Sequence, residues 1–251
     1  MPSEDFDTAI SEITKIYINL MKESYESLGI SYGKTENGVD WRNYMVDDPI
    51  TFDDGLYLGD GGEIDFSGYT GGIISIEKLL SIYPGANKNY ATAALIALEK
   101  YGGSIGLSDK GKLLVLAQFA HESGNFKFTH ELGYGKGKKY GVPTGPYNQI
   151  YYGRGPIQIT WEANYKAITE QCFPKIGINA DIHKNPDLCC SNLIVGCAAS
   201  LCWFMLPGNG KRAIAAANAG DVVGLTRAIN GGTAALSERI KNTQKILAAV
   251  I

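Results

Sequence analysis

The sequence predicts a mainly α-helical domain over residues 73–251, preceded by an irregular acidic segment over residues 1–72. Two observations predict this division. From Ile74 onward apolar residues recur at helical spacing, whereas Ser31 to Thr70 is broken up by Gly, Asp and aromatic residues. Charge changes sign at the same place. Met1 to Thr70 carries 15 Asp/Glu against 4 Lys/Arg, a net of −11, while Gly71 to Ile251 carries 11 against 19, a net of +8. With 251 residues, 45% of them hydrophobic, the chain can bury a sizeable core without disulfides or metals.

Taken in order, Asp5 to Leu28 carries Phe6, Ile10, Ile13, Ile16, Ile18, Leu20 and Met21 among charges, a spacing that fits an amphipathic helix ending near Gly29. Ser31 to Thr70 reads as turns with short strands, or as an extended segment packed on a partner. Asp53, Asp54 and Asp60 fall in no D-x-D-x-D-G loop, so they read as solvated turn acids. Helices follow at Ser75–Ser81, Asn89–Tyr101 and Asp109–His121, the last capped by Ser108 or Asp109. Its body, KLLVLAQFA, is apolar nearly all round, which predicts a buried helix that stops at Gly124. A Gly-rich loop occupies Gly133 to Pro146. Further helices are expected at Thr160–Cys172, Cys190–Leu206, Gly210–Ala219, Asp221–Ile229 and Leu236–Val250.

Several function classes drop out. The five cysteines all lie between Cys172 and Cys202 without a C-x-x-C pair, which argues against a zinc site of usual spacing. Disulfides and buried free thiols both remain open for them. The N-terminus, MPSEDFDTAI, lacks the apolar run of a secretory signal, and Leu193 to Leu206 is too short to span a bilayer. The basic balance after residue 70 suits an anionic polymer such as a cell wall or nucleic acid, or an intramolecular offset of the acidic segment.

Glu122 carries the sharpest chemical signal. It ends a helix that is otherwise apolar, and carboxylates are rarely buried there unless paired or used. Desolvation and the negative helix end would both favour its protonated form, as glycoside cleavage requires of its proton donor. The alternative is a Glu that caps or salt-bridges the helix end. His121 and Glu122 could begin an H-E-x-x-H zinc motif, but the fifth position is Asn125 and His130 is nine residues away. Glu131, nine residues after Glu122, is the candidate second carboxylate. Inverting hydrolases hold two such groups roughly 6.5–9.5 Å apart to admit a water.

The blocks AQFAHESGNFKF, then Glu131, then YYGRGPIQITWEANY, then AINGG with a later Arg239, occur in an order that resembles glycoside hydrolase family 19, which includes chitinases and bacteriophage endolysins. The resemblance runs over roughly Ile74 to Ile251. It implies a lysozyme-like, two-lobed helical fold with a small β-hairpin near Tyr151–Thr160 and a cleft between lobes. It implies Glu122 as general acid, Glu131 as general base and Thr160 as a hydroxyl holding the attacking water. It also implies substrate contacts by Gln158, Asn164 and Asn230, with Arg154 and Arg239 near the carboxylates. Tyr151 and Tyr152 are expected cleft walls. Arg154 reads equally as a structural anchor of its turn, and both tyrosines equally as core aromatics. Ala163 departs from the Tyr that plant enzymes often carry, and the Gly133–Pro146 loop has no close counterpart.

The implied reaction is single-displacement hydrolysis of β-1,4-linked N-acetylated amino sugars, without cofactor or metal. The short acid spacing, the basic catalytic half and the missing signal favour peptidoglycan, cut by a phage-type enzyme that is made in the cytoplasm and released to the wall or carried in a virion. Chitin is the second substrate. A third reading is a structural or glycan-binding protein on the same scaffold, with residues 1–72 docking on a virion or assembly partner. Neither nucleic acid binding nor membrane insertion is expected.

Overall fold

The computed structural model describes residues 71–250 and the backbone of two short strands, β1 (Ile50–Thr51) and β2 (Tyr57–Leu58). These pair antiparallel, with Ile50 opposite Leu58. The helix expected over Asp5–Leu28 and the turn acids Asp53, Asp54 and Asp60 lie outside the described residues.

The helical domain begins with α1 (Ile76–Ile82), α2 (Lys88–Tyr101) and α3 (Asp109–Glu122). Each start has a side-chain cap, because the first amides of a helix have no partner within it. Ser75 accepts from Lys78 N–H, Asn87 from Tyr90 N–H and Ser108 from Gly111 N–H. After a long irregular stretch come α4 (Glu162–Ala167), α5 (Leu188–Ser191), α6 (Leu193–Trp203), α7 (Asn209–Ala219), α8 (Val222–Asn230) and α9 (Leu236–Val250). Two expected helices differ. The one at Thr160–Cys172 starts at Glu162 and widens into a π-helical turn over Ile168–Cys172. The one at Cys190–Leu206 breaks at Asn192, whose side chain caps α6 by accepting from Val195 N–H.

The core sits around two helices that are apolar on every side. Leu113 to Ala120 of α3 and Ile194 to Cys202 of α6 are entirely buried. α3 lies against α2, α7 and α9, and α6 against the alanine face of α2. All five cysteines are free thiols, and only Cys190 is not fully buried. No helix among the described residues is long and apolar enough to cross a membrane.

The chain leaves α3 through three consecutive left-handed residues, Gly124, Asn125 and Phe126, with φ of 61°, 61° and 58°. Left-handed backbone costs roughly 1–2 kcal/mol for a side-chain-bearing residue, so something must hold it. Ser123 does so from inside: its hydroxyl donates to Phe119 O at 2.6 Å and accepts from Phe126 N–H at 3.0 Å. Phe126 is buried edge-on against Tyr83 and Tyr90. Ser123→Ala would leave the Phe126 amide without a partner and is expected to cost about 2 kcal/mol, read from the urea midpoint at constant slope.

Candidate active site

Glu122 occupies the last turn of α3, and its neighbours come from far along the chain. Arg239, on the first turn of α9, donates Nη2–H to Glu122 Oε1 at 2.6 Å. Its Nη1 reaches Gln118 Oε1, one helical turn before Glu122, and its Nε donates to Ala234 O. The guanidinium is buried, whereas the Glu122 side chain keeps 19% of its exposure. The carboxyl is therefore not simply desolvated at a negative helix end: a full positive charge neutralises one of its oxygens. Arg239 engages only Oε1 of the carboxyl. His121 lies 3.9 Å from Glu238. Burial, then the Arg239 charge, push its pKa below 6.5 against the opposing pull of Glu122 and Glu238.

The left-handed turn after α3 sends the chain back so that residues 129–131 run beside 153–155. Glu131 N–H donates to Gly153 O, and Gly155 N–H donates to Thr129 O, both at 2.8 Å. The Glu131 side chain repeats the link, because Gly153 N–H donates to its Oε1 at 2.8 Å. A side chain at 153 would press on Gln158 and on Glu131 itself, so the glycine is required for this approach. The other oxygen, Oε2, accepts from the Tyr140 hydroxyl at 3.1 Å. Both predicted carboxylates are thus held by fixed donors, one from α9 and one from the 153 turn. The turn itself is pinned by single bridges, His130 to Arg154 and Arg154 to Ile159, rather than by the expected hairpin of paired strands.

Arg154 organises this turn from within. It is 2% exposed and donates to Ile150 O, Tyr152 O, the Tyr165 hydroxyl and Asp187. Its guanidinium covers the Tyr152 ring at 3.4 Å. Arg154 is thus placed as the anchor of its turn rather than as a sugar contact, and Arg239 lies at the carboxylate as expected, paired with Glu122. Tyr151 is likewise no cleft wall. It is fully buried, its hydroxyl donates to His183 O, and burial pushes its pKa up to about 12. Alternation along the extended segment turns the next residue outward, so Tyr152 is half-buried and meets the rings of Tyr134 and His130 edge-on.

Gln158 and Asn164 tie their amides to the local backbone. Gln158 donates to Gly155 O at 2.9 Å, and Asn164 to Thr160 O at 2.8 Å. Thr160 is half-buried, and its backbone carbonyl is the one that Asn164 holds. Asn230 is exposed at the end of α8. Sequence reasoning missed Tyr140, Gln118 and the Gly153 amide. Only Gln118 gave a signal, as the one polar residue on the buried face of α3 a turn before Glu122.

A family model described as chitinase class I matches residues 117–227, the stretch that holds Glu122, Glu131 and the 150–160 turn. A solved bacterial family 19 chitinase is 27% identical, with a TM-score of 0.53 over 71% of this chain and 95% of its own. Over residues 117–227 the chain is similar to glycoside hydrolase family 19. Chitinase C from Streptomyces griseus gives the same picture, at 26% identity and a TM-score of 0.53 over 73% and 95% of the two chains. An Arabidopsis thaliana endochitinase is 32% identical over 145 residues, 56% of this chain and 46% of that protein. Another such endochitinase matches over only 26% of its length, so the chain spans less than half of these curated relatives. The likeness to these solved chitinases bears out the mainly helical, lysozyme-like fold.

Proposed function

We propose that this protein is a glycosidase that cleaves chitin-type chains of β-1,4-linked N-acetylglucosamine by a single inverting displacement. The observation that carries the reading is the pair of carboxylates, each fixed through separate donors and each left with a free lone pair. Arg239 holds Glu122 by Oε1, so Oε2 is the oxygen suited to hand a proton to the leaving glycosidic oxygen. Glu131 takes the proton of a water that attacks the anomeric carbon from the opposite face. One proton leaves Glu122 and one arrives on Glu131, so solvent resets the pair after each turnover.

Acid spacing and charge pointed first to peptidoglycan and a phage-type enzyme. The relatives are named as chitinases, and their names favour chitin. One feature keeps the wall polymer as a second reading: Lys136, Lys138 and Lys139 are exposed, and no Asp or Glu occurs between Glu131 and Glu162. Zymograms with glycol chitin and with purified peptidoglycan test the choice. Clearing of glycol chitin is expected, with an inverted anomer as first product in proton NMR. Clearing of peptidoglycan alone would move the assignment to the wall polymer. A retained anomer would sink the mechanism, and no clearing by folded protein would leave a glycan-binding module.

A further inference from the structure

The loop between Glu131 and Gly153 is not a passive rim. Its ends are bonded to each other through Glu131 N–H and Gly153 O. Within it, the chain folds so tightly that a side chain at Gly141 would strike Gly135 O, and Gly135 itself sits at φ 73° against Gly141 and Tyr152. This closure fixes where residue 140 emerges. Tyr140 is only half-buried, so it is no core aromatic. Two of its side-chain contacts belong to the site. Its hydroxyl donates to Glu131 Oε2 at 3.1 Å, and its ring meets the Trp161 ring edge-on at 5.5 Å between centroids. Trp161 follows Thr160 directly and is 48% exposed.

From this geometry we infer that Tyr140 is a positioning residue for the base Glu131, fixing which face of that carboxylate meets the attacking water. Gly153 N–H alone restrains one oxygen and leaves the group free to rotate about it. A second donor on the other oxygen stops the rotation, because a carboxylate with one fixed donor on each oxygen has a defined plane. The remaining lone pairs then point in set directions, and the edge contact with Trp161 keeps the phenol from swinging out. The inference rests on the proposed role of Glu131, and its test includes a measurement that does not need turnover.

Tyr140→Phe keeps the ring contact and removes only the donor. On a neutral chito-oligosaccharide the variant is expected to lose about 3- to 10-fold in kcat at unchanged KM. A raised KM with unchanged kcat would instead make Tyr140 a substrate contact and overturn the inference, as would an unaltered rate. The second measurement is carbon NMR of protein labelled at tyrosine Cζ, in which the signal missing from Tyr140→Phe identifies Tyr140. Burial first, then the bond to Glu131 and its charge, hold that phenol above its ordinary value. Its titration midpoint should fall in Glu131→Gln, and equal midpoints in the two proteins would overturn the inference. Absence of hydrolysis by the unmodified protein would strike the proposed function alone, since the NMR result decides the bond regardless.

Discussion

Glu122→Gln is expected to remove clearing of glycol chitin, with a fall in kcat on the order of 10²–10⁴. The amide has nearly the shape of the carboxyl and its carbonyl can still accept from Arg239, so the last turn of α3 keeps its partner. What it lacks is a proton to give to the leaving oxygen. The exchange also leaves the Arg239 guanidinium without its counter-charge at 2.6 Å. A loss of stability of about 1–3 kcal/mol follows from weakening a hydrogen bond to a charged group. Urea unfolding and the zymogram should therefore disagree: a folded protein, modestly weakened, with no activity. Clearing at the original rate would remove Glu122 from the mechanism.

Arg239→Met carries the largest expected structural effect. It strands the Glu122 carboxylate, the Gln118 carbonyl and Ala234 O at one stroke, each of which now accepts from the guanidinium. Removing one member of a buried ion pair typically costs about 3–5 kcal/mol. Hydrolysis should fall with it, because the proton donor loses its fixed position. The double variant Glu122→Met with Arg239→Met replaces both charges and should recover much of the stability without any activity. If it does not, the cost lies in the stranded Gln118 and Ala234 acceptors and in packing around α9 rather than in the ion pair. His121 provides a spectroscopic check. Its pKa is held below 6.5 by burial and by Arg239, so the unfolded chain binds that proton more tightly. This contribution to stability is present above pH 6.5 and is lost as pH falls toward the folded value. In Arg239→Met the His121 pKa should rise and that acid-side loss should shrink.

The sequence made α3 legible because its signals were local: a serine cap, an apolar run on every face and a glycine stop. The same holds for α7, α8 and α9, whose ends shifted by one residue at most. Asn192 was harder, since a polar residue inside an apolar run reads as a tolerated interruption until its side chain is seen to start a new helix. The site was legible only in part. The resemblance placed Glu122 and Glu131, but the partner of Glu122 lies 117 residues away, and no local pattern links them. Adjacent tyrosines at 151 and 152 are equivalent in composition, and only the pleat of an extended segment decides which one enters the core. Arg154 and Arg239 were expected near the carboxylates. Arg239 is there, and the burial of both decides for scaffolding, because each satisfies several acceptors that would otherwise be stranded.

The double link between Glu131 and Gly153 closes residues 132–152 at their base. For a loop already joined at its ends, the entropy of closure grows only as the logarithm of length, so doubling it costs about 0.6 kcal/mol. Length changes confined to residues 142–149 are thus expected to cost little, whereas Ile150, Tyr151 and Tyr152 are tied to Arg154 and His183 and cannot be rewritten without moving that turn. A graft must also keep the Gly135–Gly141 closure and a hydroxyl donor where Tyr140 stands.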